Sequence, residues 1–172
     1  VWFEGWVGDA AWTYVFGEPS PLVKKLTDCG KKALARGVEE LQPGKPYINW
    51  ARKVQEIVEG QPPAGYGFHL IRGLGGHGYG RRLHGPPFVS NVVPSSPGEW
   101  PDALTPAQPG TLVAVEPMIA VGTGETRQKS GTWPVFTGDG SLSVHYEHDV
   151  LITENGPEVL TAGLERVRDI IA

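Results

Sequence analysis

The chain has 172 residues, 40% of them hydrophobic, including six Trp, five Tyr and five Phe. That is one domain's worth of chain with enough apolar mass for a core. It excludes a multidomain machine and, with 20% charged residues, a solvated disordered polymer. A net charge of −4 disfavours sequence-independent binding to nucleic acid or to an anionic membrane. The single Cys29 permits no internal disulfide, so a reducing cytoplasm is the expected setting. No apolar run approaches the roughly 20 residues that span a bilayer, and no secretory leader is expected.

The 24 Gly and 16 Pro punctuate apolar runs without forming a repeat, which predicts many turns and strands. The opening, VWFEGWVGDAAWTYVFG, enters directly on aromatic residues and reads as sequence from inside a domain. Val1 to Val7 and Ala10 to Phe16 are expected as two β-rich runs with a bend at Gly8-Asp9. Pro19 and Pro21 open a helix whose stripe is Leu22, Leu26, Cys29, Ala33 and Val38, with Lys24, Lys25, Lys31 and Lys32 on the solvated face. A second helix is predicted from Tyr47 to Val58, carrying Ile48, Ala51, Val54 and Ile57 on one side. Phe68 to Arg72 reads as a short strand, Gly73 to Gly80 as a glycine-rich segment, and Pro86 to Pro109 as a long proline-rich loop. Strands are expected at Thr111 to Val121, Trp133 to Thr137 and Leu142 to Thr153, then a tight turn at Asn155-Gly156 and a helix from Leu164 to Ile171. Helices that precede a strand-rich half predict an α+β fold with an antiparallel or mixed sheet, and no internal boundary is visible.

Gly73-Leu-Gly75-Gly-His-Gly78 satisfies the G-x-G-x-x-G spacing of a dinucleotide site. Pro86-Pro87 arrives before a helix could form behind it, so no helix N-terminus is available for a pyrophosphate. The histidines of the same stretch are more informative. His77 and His84 are flanked by glycines that permit close backbone approach, although an isolated histidine often serves simply as a hydrogen-bonded core residue. Glu116 lies in LVAVEPMIAV with nothing to neutralise it, and Glu147 poses the same problem in LSVHYEHDVLIT. Alternation there puts Glu147 on one face with His145 and Asp149, and Tyr146, His148 and Val150 on the other. Asp9, between aromatic runs, is a third such acid. Three acids in apolar settings plus a glycine-flanked imidazole suit a divalent transition metal, and pairing of each acid with an arginine fits the pattern equally well. His145, His148 and His69 have only structural readings as strand residues.

GGHGYGRRLHGPP, VEPM and YEHDVLITENGPEVLT, in that order behind GWVGDAAWTYVFGEP, resemble the type I methionine aminopeptidases of the pita-bread metallopeptidase superfamily. The resemblance runs from Trp2 to Thr161 and corresponds to roughly the C-terminal two-thirds of a complete member, so the N-terminal part of the pita-bread domain is expected to be missing. It implies a curved antiparallel or mixed sheet backed by helices, and removal of N-terminal methionine through a metal-activated water, on substrates that are the N-terminal peptides of nascent proteins. It implies further that Asp9, His77, Glu116 and Glu147 are metal ligands, with Glu116 also handling the proton of the attacking water. His84 would contact the scissile peptide and stabilise the oxyanion, and Trp133 would lie near the methionine pocket. The cofactor would be Co, Mn, Fe or Zn. The family site holds two ions, and the residues present here provide for one, because the family's first aspartate falls ahead of Val1. His84 is followed by Gly85 where the family commonly has an acid. Two alternatives follow from the same resemblance: a non-catalytic pita-bread interaction scaffold, and an aminopeptidase acting before proline.

Overall fold

The computed structural model describes residues 1–171. A hairpin of β1 (Trp2–Phe3) and β2 (Trp6–Val7), turning at Glu4-Gly5, opens the chain, so the first run folds on itself and does not pair with β3 (Val15–Phe16), which lies in a separate sheet. Helix α1 (Pro21–Val38) starts where Ser20 caps it, its side chain accepting from the Val23 N–H, with Pro21 in the first turn where no intrahelical N–H is needed. Helix α2 (Ile48–Glu59) buries Ile48, Trp50, Ala51, Val54, Ile57 and Val58, close to the stripe its spacing predicts. The helices pack closely because Gly37 of α1 leaves room for the Trp50 ring at a distance no side chain could tolerate.

The strand-rich half contains β4 (His69–Leu70), β5 (Gly75–Gly78), β6 (Gly85–Ser90), β7 (Leu112–Val115), β8 (Met118–Ala120), β9 (Thr126–Gln128), β10 (Val135–Thr137), β11 (Ser143–His145), β12 (His148–Thr153), β13 (Gly156–Val159) and β14 (Ile170–Ile171). Two sheets matter for function. One has the order β13-β12-β7-β5-β6, and the other β11-β8-β4, with antiparallel pairing in both. The apolar faces of these strands, including Val113, Val115, Ile119, Val144, Tyr146, Val150 and Ile152, join Leu26, Leu34, Trp50, Val54 and Val58 of the helices in one core. The arrangement is the α+β, helix-backed antiparallel architecture expected.

Four local expectations are corrected. The segment Pro86 to Pro109 is not all loop: β6 occupies its start, at the outer edge of the five-stranded sheet, where a proline removes no needed donor. The run Thr111 to Val121 is two strands in two different sheets, broken at Glu116-Pro117, and Leu142 to Thr153 likewise breaks at Tyr146-Glu147. The terminal helix expected from Leu164 to Ile171 is instead a 3-10 turn over Leu164–Arg166 followed by β14, which pairs in parallel with β3. The Lys31 ammonium meets Asp169 at 2.7 Å and ties that ending to α1.

Candidate metal centre

The two sheets meet where their strands break. Strand β7 ends at Val115 and β8 begins at Met118, while β11 ends at His145 and β12 begins at His148. The pairs Val115↔His148 and Met118↔His145 bracket the gap, so Glu116 and Glu147 both sit in the seam between sheets. A third segment closes it: the Glu147 N–H donates to the Ala11 carbonyl at 2.8 Å, which brings Asp9 alongside. His77 enters from β5, in register with Ala114 of β7. The glycines around it serve close packing, since a Cβ at Gly76 would strike the Ala114 carbonyl and one at Gly78 the Pro86 carbonyl. Of the glycines in the G-x-G-x-x-G spacing, Gly75 and Gly78 are required by close packing against β6, and Gly73 by its positive φ.

Asp9, His77 and Glu147 each present a ligand atom, all within 4.8 Å of one another. Glu116 Oε1 lies 3.7 Å from His77 Nε2, and Asp9 Oδ2 lies 3.9 Å from the same nitrogen. Metal–ligand bonds of about 2.0–2.2 Å allow ligand atoms to stand up to about 4.4 Å apart, so small side-chain rotations suffice for a shared ion. His77 Nδ1 lies 3.2 Å from the Gly78 carbonyl, and as its donor it leaves the Nε2 lone pair facing the acids. The donor set therefore fits a divalent cation. Among the described residues, the salt-bridge partners of Asp9 and Glu116 are His77 and His145, and no lysine or arginine pairs with these acids.

The electrostatics bear the mark of that missing countercharge. Glu147 is only 4% exposed, and burial first, then the charges of Glu116, Asp9 and Asp149, pushes its carboxyl up to about 8. Asp149 is buried beneath Asp9, accepting its backbone N–H at 2.8 Å, and burial raises it to about 6 against that bond. Its Oδ1 has no partner among the described residues. Burial and the Asp149 charge also hold the Tyr79 hydroxyl above the usual tyrosine range. Behind the cluster, the Thr161 hydroxyl meets His148 Nδ1 at 2.9 Å and the Asp149 N–H at 3.1 Å.

Of the residues singled out in the sequence, Asp9, His77, Glu116 and Glu147 come together, and His84 stands beside them with its ring centroid 4.4 Å from that of His77. His84 and Glu116 line one cavity of about 540 Å³ with His77, Gly75, Phe88 and Met118. Trp133 is not brought to this cavity. It is 94% exposed in the β9–β10 turn, where Gln128 Nε2 donates to the Thr132 and Trp133 carbonyls and leaves the indole outside. Phe136 and Val135 of that hairpin line a neighbouring cavity instead. Sequence reasoning passed over two residues. Asn91 is fully buried, accepting from Trp50 Nε1 at 3.2 Å and donating to the Glu116 carbonyl at 3.0 Å, and no local pattern marks it. His145 reaches Glu116 at 3.1 Å, and its shared parity with Glu147 was the available signal.

Comparison with known proteins agrees with this geometry. The model of metallopeptidase family M24 matches residues 1–154. A methionine aminopeptidase of Aquifex aeolicus is 39% identical over 159 residues, covering 92% of this chain and 58% of the relative. The crystal structure of methionine aminopeptidase from Thermotoga maritima superposes with a TM-score of 0.81 at 35% identity, covering 92% of this chain and 59% of that one. Prolidase from Pyrococcus furiosus is more distant, with 26% identity, a TM-score of 0.67, and coverage of 92% and 38%. The chain thus spans about three-fifths of the length of the methionine aminopeptidases it matches. No helix among the described residues is long and apolar enough to cross a membrane.

Proposed function

Because the chain belongs to metallopeptidase family M24, we propose that it is the ligand-bearing part of a methionine aminopeptidase, which removes the N-terminal methionine of proteins. The observation that carries the reading is the convergence of Asp9, His77 and Glu147 within 4.8 Å, with Glu116 against the same imidazole. An interaction scaffold has no physical need to hold these acids together without countercharge. The higher identity to methionine aminopeptidases than to a prolidase favours methionine over Xaa-Pro substrates. In this reading the substrates are nascent N-terminal peptides, which places the enzyme in the cytoplasm.

Asp9, His77, Glu116 and Glu147 would hold a divalent ion such as Mn, Fe, Co or Zn. When bound, it supplies Lewis acidity toward water and the peptide carbonyl, as in metallohydrolases generally, aminopeptidases among them. Glu116, on the cavity wall, takes the proton of the attacking water and delivers it to the leaving amine. His84, beside His77 on the same wall, donates to the developing oxyanion, a contribution of about 3 kcal/mol by the scale of other oxyanion donors. Apolar lining from Leu74, Phe88 and Met118 suits an unbranched thioether side chain.

The test is hydrolysis of Met-Ala-Ser by the full-length protein after metal reconstitution. Glu116→Gln is expected to lower kcat by about 10²–10⁴-fold, the range for losing a positioned general base. Near-normal turnover would remove Glu116 from the mechanism. Faster cleavage of Xaa-Pro than of Met-Ala peptides would replace the methionine assignment with the prolyl one.

A further inference from the structure

Glu116 is held from two directions, and each involves a residue outside the ligand set inferred above. Its backbone carbonyl is fixed by Asn91, itself fixed by Trp50. Its two carboxylate oxygens face two different imidazoles: Oε1 lies 3.7 Å from His77 Nε2, and Oε2 lies 3.1 Å from His145 Nε2. His145 is well placed to impose that orientation. It pairs with Met118 in the β11–β8 register, its N–H donates to the Thr13 hydroxyl at 3.0 Å, and its carbonyl accepts from the same hydroxyl at 2.8 Å. The Nε2 atom is buried and has no other acceptor, while the rest of the ring borders the cavity shared with Phe136 and Thr137. At 3.1 Å the pair is within hydrogen-bond distance, but Nε2 makes no aligned bond in this arrangement, so the ring must turn to direct its N–H at Oε2.

We propose that His145 is a positioning residue for Glu116: through Nε2–H it holds Oε2 and so keeps Oε1 turned toward His77 and the ion. The inference rests on the metallopeptidase reading and deepens it. Partners that orient metal-bound carboxylates and imidazoles commonly change metal affinity by about 10–100-fold when removed. His145 differs from a ligand in a way that chemistry can expose. A glutamine retains an N–H donor on a side chain of similar reach, whereas its amide is a poor replacement for an imidazole ligand on a transition metal.

The experiment titrates Co²⁺ into the full-length protein, following the cobalt visible spectrum and calorimetric affinity for the wild type, His145→Gln, His145→Ala, Glu116→Gln and the His145→Ala/Glu116→Gln double variant. Folding of each is checked by thermal melting. His145→Ala is expected to weaken cobalt binding by about tenfold. His145→Gln should keep wild-type affinity and an unchanged spectrum, and His145→Ala should have little further effect once Glu116 is replaced. Equal damage from His145→Gln and His145→Ala, a changed cobalt spectrum in His145→Gln, or an undiminished His145→Ala effect in the Glu116→Gln background overturns the positioning role. Wild-type cobalt uptake that His145→Ala leaves unchanged overturns this inference alone. A wild-type protein that takes up no cobalt overturns the metallopeptidase reading and this inference with it.

Discussion

Tyr146 and Glu147 are adjacent in the chain and opposite in environment. Tyr146 turns into the helix-backed core, so close to Gly30 of α1 that no Cβ fits there, and its ring meets Trp12 edge-on at 4.8 Å. Glu147 turns into the seam, among carboxylates that repel it. Both residues lie in the break between β11 and β12, where the chain sends one side chain into the core and the next into the seam. The core face lowers the free energy of the fold by removing apolar surface from water, and the seam face raises it by gathering buried like charges. The same few residues therefore supply both the stability and the unneutralised charge that a cation would relieve.

The core side should show the larger stability effect. Trp50 is fully buried, and Trp50→Ala is expected to cost about 3–5 kcal/mol in denaturant unfolding, as large-to-small changes of aromatic core residues do. It also strips Asn91 of its donor and loosens the support of the Glu116 carbonyl. If the variant instead kept its stability and lost only metal affinity, the division between a stabilising face and a chemical face would fail.

The seam side should respond in the opposite direction. Glu147→Gln removes a buried charge, so the metal-free protein is expected to gain about 1 kcal/mol at pH 8 while losing most of its metal affinity. The pH dependence has the same origin. Glu147 is raised from 4.5 to about 8 and Asp149 from 3.8 to about 6, so the folded state binds more protons than the unfolded chain between those limits. The stability they contribute is complete at low pH and is lost as pH rises through the folded values. Burial lowers the pKa of His148, which acts oppositely below its ordinary value of 6.5. The clean window is therefore roughly pH 6.5 to 8, where melts of the metal-free protein should fall with rising pH and saturating metal should flatten the slope. A metal-free melting temperature that rises across that window would contradict the crowding of acids in the seam.

Much of this organisation was legible in the sequence because it depends on periodicity. The α2 stripe, the α1 stripe apart from the exposed Leu22, and the lack of a helix behind the glycine motif, where β5 runs into β6, all follow from side-chain spacing and chain stiffness. What escaped depends on partners distant in sequence. Pro117 is a local sign of the first break, but nothing local announces the second, at Tyr146-Glu147 in a run of good β-formers, where the break is set by the meeting of two sheets. Strand β6 was hidden by Pro86 and Pro87, which are tolerated because the strand is an edge and its register slips between His77 and Gly78. The ending resembled a helix by composition, but pairing with β3 and the Lys31–Asp169 contact override that weak preference.

The β9–β10 hairpin should show the smallest effect, and it bounds the chemical face. Its residues Trp133, Val135 and Phe136 are exposed, so they contribute neither core burial nor seam charge. Trp133→Ala is expected to change stability by no more than about 0.5 kcal/mol, the usual range for surface positions. Because the Gln128 bonds hold the turn through backbone carbonyls, removal of the indole leaves the turn intact. For Met-Ala-Ser, KM and kcat of the variant should each stay within about twofold of wild type, since no uniform binding or transition-state contact is removed. An increase of about tenfold in KM at constant kcat would mean that the indole folds onto bound substrate. The working surface would then extend beyond the cavity walls formed by His77, His84, Glu116 and Met118, onto a hairpin that lends the fold little stability.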